Sequence, residues 1–335
     1  MMREFEIERQ FDLKIEKIKP NRGIYFLKTN KGEMCLKKVS YGIQKLVFIY
    51  GAKEHLIKNG FENIDRFYLN IEGNPYAIVN EDIYTLSNWI DGRECDFLNI
   101  DDVNNSAKVL ANLHISSKGY DPPEHSKLKS DLDRWPSIMD KRIRSFDKMR
   151  DLVRKKGLKN DVDMIYIKNY EFYKDIAKKA YNIFEKSNYY DICREIENEK
   201  SFCHHDYTHH NIVIDKHDNI NILDFDYCKR EVRSYDIANY IIRVLKKNNW
   251  DINICKSIIE SYNSNLELRY EDIFLIYGFL LFPQRFWRVC NRYFYNDVLI
   301  RQNVFLSQLE KLVNERESYM NFIDNFEREF LIKVN

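Results

Sequence analysis

The pattern of apolar and polar positions changes character about a quarter of the way along the chain. Residues 11–15 (Phe11-Asp12-Leu13-Lys14-Ile15) alternate with period two and predict a strand, and so do residues 24–28 and 33–39. Asn21-Arg22-Gly23 and Thr29-Asn30-Lys31-Gly32 read as the turns between them. Residues 41–59 switch to helical spacing, with Leu46 or Val47, Tyr50, Glu54 and Ile57 on one face and Gly60 as the stop. Strands over 64–70, 75–79 and 83–90 then lead to Asp91-Gly92, where the β-rich part should end.

From there the spacing is helical almost throughout. Residues 103–114 place Val103, Ala107, Leu110, Ala111 and His114 along one stripe. Residues 135–157, with Ile138, Ile143, Phe146, Leu152 and Val153 inward, and residues 165–184, with Phe172, Ile176, Ala180 and Phe184 inward, predict a helical hairpin within about 131–200. Arg285, Arg288 and Arg292 share a helix face after Phe282-Pro283, and residues 304–331 read as one long final helix. The expectation is an α+β, bilobal protein: a small β-rich lobe over 1–90 and a large helical lobe over 91–335.

Composition narrows the function only by exclusion. Lys and Arg number 53 against 52 Asp and Glu, so no global charge points to nucleic acid or to a membrane surface. Seven cysteines are scattered without a Cys-x-x-Cys pair, which suits a reducing compartment better than a disulfide framework. The N-terminal residues have no apolar stretch, so no signal peptide is expected. The apolar run over 273–282 falls short of the roughly 20 residues of a membrane span and stops at Pro283, so no span is expected either.

The chemistry is concentrated in one place. His204-His205-Asp206-Tyr207-Thr208-His209-His210-Asn211 reads His-x-Asp-x-x-x-x-Asn, and Asp224-Phe225-Asp226 follows after two short apolar runs. Those runs, residues 212–214 and 220–223, predict a hairpin turning at Lys216-His217-Asp218-Asn219 that returns Asp224 to the side of Asn211. Phosphoryl transfer needs a carboxylate to orient or deprotonate the acceptor hydroxyl, and an amide oxygen plus a second carboxylate to hold Mg²⁺ on the nucleotide phosphates. This spacing supplies all three. A zinc site made from the four clustered histidines is the rival reading, but zinc ligands are usually more sparsely spaced and no Cys pair flanks the loop.

The catalytic segment resembles that of the aminoglycoside and choline phosphotransferases. The resemblance makes Asp206 the catalytic base, Asn211 and Asp224 the Mg²⁺ ligands and Asp226 an accessory carboxylate. It also implies that Asp236, in Tyr235-Asp236-Ile237-Ala238, braces the catalytic loop. In the strand over 33–39, Cys35 and Lys37 share one face and Leu36 and Lys38 the other. A small residue followed two positions later by the phosphate-binding lysine is the kinase pattern, which favours Lys37. Two surface lysines on an edge strand are the plainer alternative. Glu54, the only acid in the 41–59 helix, is the candidate partner for Lys37, with a solvated side chain as the alternative. Leu86-Ser87-Asn88-Trp89 is the expected hinge, whose backbone would meet adenine.

With Leu36-Lys37, Asn59-Gly60-Phe61, Asn88-Trp89-Ile90-Asp91-Gly92-Arg93-Glu94, Leu110-Ala111-Asn112-Leu113-His114 and Phe282-Pro283-Gln284-Arg285-Phe286-Trp287 added, the whole chain is similar to the CotS-type spore coat protein family. That family is a kinase-like branch of the aminoglycoside phosphotransferase superfamily. The resemblance implies ATP and Mg²⁺ as cofactors, synthesis in the mother-cell cytoplasm, and a place in the spore coat. It implies a coat or morphogenetic protein as partner or Ser/Thr substrate. The sequence departs from the superfamily where Gly and Pro-Gly are usual, since His205 and His209-His210 stand there. The phosphate-covering turn has only Gly23. These changes restrict the loop without removing a metal ligand. A small-molecule kinase and a structural coat protein that transfers no phosphate are the competing functions. The nine basic residues over 141–159 fit either a solvated face or a dock for an acidic or phosphorylated partner.

Overall fold

A computed structural model describes residues 4–295 and 302–332. By compactness the chain divides into two units. The first comprises Met1–Ser130, Ile196–Glu231 and Ser261–Leu266, and the second Asp131–Glu195, Val232–Glu260 and Glu267–Asn335.

The first unit begins with helix α1 (Glu4–Phe11), not with the strand that the alternation at 11–15 suggests. Phe11 and Leu13 are core residues at the helix end and the following turn, so their alternation reflects burial on both sides of a corner. Strands β1 (Ile15–Asn21), β2 (Ile24–Thr29), β3 (Gly32–Val39), β4 (Ala77–Val79) and β5 (Asp82–Asn88) form an antiparallel sheet in the order β1-β2-β3-β5-β4. Ile7, Phe11, Leu27, Met34, Leu36, Val79 and Leu86 pack into one core. Residues 64–70 do not form the expected strand. They contribute only isolated bridges, Ile64 to Ile222 and Phe67 to Ser87.

Helix α2 (Ile43–Lys58) follows β3, and its buried stripe is Leu46, Ile49, Ala52, Lys53 and Leu56. The apolar face is therefore rotated from the one expected through Tyr50 and Glu54. After β6 (Arg93–Glu94) comes α3 (Ile100–Ser116), capped by the Asn99 side chain, which accepts hydrogen bonds from the Asp101 and Asp102 amides. Strands β7 (Ile212–Ile214) and β8 (Ile220–Ile222) form the predicted hairpin, and β6 pairs with β7. Its turn is held by Asp215, whose carboxylate accepts from the amides of His217 and Asn219. Gly92 permits the β6–β7 approach, since a Cβ there would lie 2.4 Å from the Ile214 carbonyl oxygen.

The second unit is helical. The hairpin of α4 (Trp135–Lys155) and α5 (Asp161–Lys186) is followed by α6 (Tyr189–Glu199), which ends in the first unit. Asn160 and the buried Asp163 form a capping box that starts α5. Helix α4 buries Met139, Ile143, Phe146, Met149 and Val153, whereas Leu152, expected inward, is 39% exposed. Helices α7 (Arg233–Leu245) and α9 (Tyr270–Leu281) pack together, and α9 also packs against α5. Gly278 lets α9 approach, because a Cβ there would meet the Phe184 ring at 2.8 Å.

Helix α8 (Ile252–Asn263) runs from the second unit into the first. Helix α10 (Gln284–Tyr295) places Phe286 between Tyr173 and Tyr166, with ring centroids 3.8 and 6.0 Å away. The single final helix expected over 304–331 is two, α11 (Gln302–Asn314) and α12 (Arg316–Phe330), separated at Glu315.

The stretch Tyr270–Tyr295 is long and apolar enough, by length and composition, to cross a membrane, contrary to the shorter run read from the sequence. Within it, 67% of the most apolar window is buried inside the protein, and the chain bends at Phe282-Pro283 between α9 and α10. That is the behaviour of core helices.

Candidate active site

The catalytic-loop segment is fixed from several sides within the first unit. Cys203 and Lys229 exchange backbone hydrogen bonds at 2.9 and 3.2 Å. His204 is fully buried. Its Nδ1 accepts from the Asp206 amide at 3.2 Å, which leaves the Nε2–H to donate to the Leu223 carbonyl at 3.0 Å. One imidazole thus ties the segment before Asp206 to the segment before Asp224. The buried Tyr207 donates its hydroxyl to the Ser106 carbonyl at 2.8 Å, anchoring the loop to α3. Two site residues adopt left-handed backbone: His205 at φ 70° and Asp224 at φ 60°. At His205 the backbone lies in the region that glycine favours, so the loop bears the cost of a Cβ there.

The β7–β8 hairpin delivers Asn211 to Asp224. The Leu223 amide donates to the Asn211 carbonyl at 2.8 Å. The Asn211 side-chain nitrogen donates to the Asp206 carbonyl at 3.0 Å and approaches the Asp206 carboxylate at 3.4 Å. With its nitrogen spent on Asp206, the side-chain oxygen of Asn211 is the atom left to meet a cation.

Lys37 lies at the centre of the charge arrangement. Its Nζ is 2.8 Å from Asp224 and 2.9 Å from Asp226. Tyr41 donates its hydroxyl to the other oxygen of Asp226 at 2.6 Å. Burial opposes the charge on Lys37, yet the two carboxylates outweigh it and raise its pKa. Burial likewise works against the Asp224 carboxylate, but attraction to Lys37 prevails and holds its pKa below the usual range. Lys38, on the opposite face of β3, pairs instead with Asp82 at 2.6 Å.

These groups border a cleft of about 620 Å³ within the first unit. Cys35, Lys37, Ser87, Asn88, Trp89, Asn211 and Asp224 all line it. Burial pushes the Cys35 thiol up to about 11, so it stays neutral on the cleft wall. Asn88 Oδ1 is buried without a hydrogen-bond donor among the described residues. An acceptor in that position suits a ligand bearing an N–H, such as an adenine amino group. Backbone groups of the expected hinge are already spent: the Trp89 amide donates to the Glu33 carbonyl at 3.1 Å, the Asn88 amide to the Arg66 carbonyl at 3.3 Å, and the Leu86 carbonyl accepts from the Tyr68 amide at 2.8 Å, while Leu86, Ser87 and Asn88 also pair with β3. At the other end of the cleft, Arg22 and Gly23 turn the β1–β2 hairpin with φ 46° and 90°. Arg22 pairs with Glu94 at 2.6 Å.

Glu54 does not meet Lys37. It accepts two hydrogen bonds from Arg66, at 2.9 and 2.6 Å, on the surface of the unit. The residue that α2 turns inward is the preceding one. Lys53 is 1% exposed, donates to the Asp65 carboxylate at 2.8 Å and sits 3.9 Å from the centre of the Phe67 ring. Asp65 also lines the cleft. Neither Lys53 nor Asp65 was expected at the site, nor was Tyr41. The usable signal was the spacing Ile49, Ala52, Lys53, Leu56, an inward stripe in which a lysine occupies a core position.

The clustered histidines go to separate partners. His204 bonds as described, His210 meets the Thr208 hydroxyl at 3.0 Å, and His209 faces Glu94 at 3.8 Å and the Phe97 ring at 5.5 Å. Along α4 the basic run is partly neutralised. Arg150 pairs with Asp147 and Asp151, Arg144 with Asp140, and Lys156 with the buried Asp163.

Comparison with known proteins agrees with the fold. A curated relative, spore coat protein S of Bacillus subtilis (strain 168), is 20% identical over 316 residues, covering 91% of this chain and 87% of its own. The crystal structure of an aminoglycoside phosphotransferase from Alicyclobacillus acidocaldarius superposes with a TM-score of 0.84 at 18% identity, covering 98% of this chain and 96% of its own. Spectinomycin phosphotransferase, solved with ADP and spectinomycin, gives 0.67 at 13% identity, with 96% of both chains covered. The family model described as spore coat putative kinase YutH matches residues 4–326. The chain therefore has the aminoglycoside phosphotransferase fold and belongs to the YutH family of kinase-like spore coat proteins.

Proposed function

We propose that this protein is an ATP- and Mg²⁺-dependent phosphotransferase of the spore coat, acting on a Ser or Thr hydroxyl of a coat or morphogenetic protein. The observation that carries the reading is the convergence of Lys37, Asn211 and Asp224 on one cleft, with Asp206 tied to Asn211. In this reading residues 1–90 are the nucleotide-binding lobe, and residues 91–335 carry the catalytic loop and the acceptor side. The protein is made in the mother-cell cytoplasm before it joins the coat. ADP in the spectinomycin phosphotransferase supports a nucleotide in a site of this fold.

Each residue has a definite task. Asn211 Oδ1 and the Asp224 carboxylate would hold Mg²⁺, with Asp226 beside them, because a hard cation takes oxygen ligands. When bound, Mg²⁺ neutralises charge on the nucleotide phosphates. Lys37 contributes a point charge to the phosphates and must first give up its pairing with Asp224 and Asp226. Asp206, held by the His204 and Asn211 contacts, orients the acceptor hydroxyl and takes its proton. Asn88 Oδ1 would accept from the adenine amino group.

A specific observation also favours a slower, largely structural coat protein. Lys37 has two carboxylate partners already, and α2 offers an inward lysine instead of an inward acid. The test that separates the two is thermal unfolding with about millimolar ATP, with and without Mg²⁺. A Mg²⁺-dependent rise in Tm that disappears in Asp224→Ala supports the phosphotransferase. No rise in the wild type favours the structural role.

A further inference from the structure

The helical unit holds a partly buried cation in an aromatic frame. Arg142 on α4 is half-buried, and its guanidinium carbon lies 4.6 Å from the centre of the Trp287 ring, 5.7 Å from Trp135 and 5.9 Å from Phe282. One Nη donates to the Gln284 side-chain oxygen at 2.5 Å. No acidic side chain pairs with Arg142 among the described residues. The nearby Asp131 is engaged by Arg134, and Arg285 by Glu315. Arg288, exposed on α10, adds a second positive charge.

The frame is rigid. Trp287 donates its indole N–H to the Ser145 hydroxyl at 2.7 Å, and Trp135 stacks on Tyr235 at 5.1 Å. A guanidinium has five N–H donors, and only one of Arg142's is in use among the described residues. Burial lowers its pKa to about 10, with Arg288 adding to the effect, so it remains charged near neutral pH. A held, charged, under-bonded fork is what planar recognition of a carboxylate requires.

The neighbouring surface says what carries that carboxylate. Lys141, Ser145, Lys148, Leu152 and Lys155 fall on one stripe of α4 at spacings of three and four. None of the three lysines is paired with an acid among the described residues, whereas Arg144, Arg150 and Lys156 are. The stripe spans about 21 Å at the helical rise, longer than a small anion covers. We propose that Arg142, framed by Trp135, Phe282 and Trp287, anchors one carboxylate of an acidic polypeptide segment that lies along this stripe. The segment's remaining acids meet Arg288, Lys148 and Lys155.

The experiment needs no nucleotide and does not depend on phosphotransfer. A fluorescent peptide of about ten residues, rich in Glu, is titrated into the full-length protein and read by anisotropy, and an unlabelled peptide gives the change in tryptophan emission that Trp287→Phe should remove as a second readout. Arg142→Gln should weaken binding about tenfold, and Arg142→Lys should recover little of it, because the fork is lost. Arg288→Gln and the Lys148→Gln/Lys155→Gln pair should each weaken it about threefold and flatten its salt dependence. Arg150→Gln should leave it unchanged, since Asp147 and Asp151 already neutralise that residue.

Equal binding by wild type and Arg142→Gln would overturn the proposal. So would an equal loss with Arg150→Gln, which would mean non-specific attraction. Tighter binding of a single-stranded oligonucleotide through Arg142 would give the site to another partner. If Arg142→Gln fails to fold, the exposed Arg288→Gln decides: unchanged affinity there ends the proposal.

Discussion

The ammonium of Lys37 on β3 lies 2.8 Å from the carboxylate of Asp224, although 187 residues separate them in sequence. The pair joins the sheet to the segment that follows the β7–β8 hairpin. It holds the two groups on which a nucleotide would depend in a mutually neutralised state.

This pair predicts a pH response. The folded-state pKa of Asp224 is depressed, so its contribution to stability is present above the unfolded carboxylate value of about 4. It is lost as pH falls through the lower folded value. Asp224→Asn should therefore show a shallower fall of Tm between about pH 5 and pH 2 than the wild type. Parallel acid limbs would mean that the pair contributes nothing to folding.

On α2 two adjacent charges should behave very differently. Lys53 is buried against Asp65, so Lys53→Ala leaves a carboxylate without its cation and should cost about 3 kcal/mol. The Glu54–Arg66 pair is largely solvated, and Glu54→Gln should cost less than about 1 kcal/mol and leave nucleotide affinity unchanged. Denaturant unfolding and nucleotide titration of both variants check this. A loss of nucleotide affinity in Glu54→Gln would restore the pairing with Lys37 that the sequence suggested.

How far the site could be read in advance depended on how local its determinants are. Asp206 and Asn211 precede, and Asp224 follows, one hairpin whose strands and turn are encoded within twenty or so residues, and the hairpin brings Asn211 beside Asp206 on one side and Leu223 on the other. Lys37 was separable from Lys38 because strand alternation fixes which face each takes. Glu54 was misplaced because helical phase has to be inferred from a few apolar positions, and Lys53 disguised the true stripe by putting a charge in the core. Its partner Asp65 lies in a segment that makes isolated bridges and has no period to read. At the N-terminus the same ambiguity turned a helix end and a corner into an apparent strand. The Arg142 frame was unreadable for another reason. It joins α4 to the Phe282-Pro283-Gln284 corner, more than 130 residues later, and no local pattern links them.

His205 offers a test of backbone strain. His205→Gly and His205→Ala both remove the ring and its approach to Glu231 at 3.7 Å, but only glycine relieves φ 70°. The glycine variant should be more stable than the alanine variant by about 1 kcal/mol. Equal stabilities in thermal or chemical unfolding would show that the loop relaxes when the ring is gone.

The β6–β7 approach should be unforgiving. Gly92→Ala puts a methyl group 2.4 Å from the Ile214 carbonyl oxygen and 2.8 Å from the Val213 side chain, so backbone must move. A destabilisation of about 2 kcal/mol is expected, together with weaker nucleotide binding, because Gly92 lines the cleft. Wild-type stability in the variant would mean that the hairpin is not held at that point.

In the proposed reaction Asp206 serves a hydroxyl acceptor beside a nucleotide held by Lys37, Asn211 and Asp224. The measurement that tests it most directly compares wild type with Asp206→Asn, using γ-labelled ATP, Mg²⁺ and a sporulation-stage lysate, with nucleotide affinity determined on the same preparations. A labelled coat or morphogenetic protein is expected with the wild type, and transfer reduced by about a thousandfold or more in Asp206→Asn while ATP binds with nearly unchanged affinity. Equal labelling by the two proteins, or no labelling by a wild type that binds ATP and Mg²⁺, would contradict it.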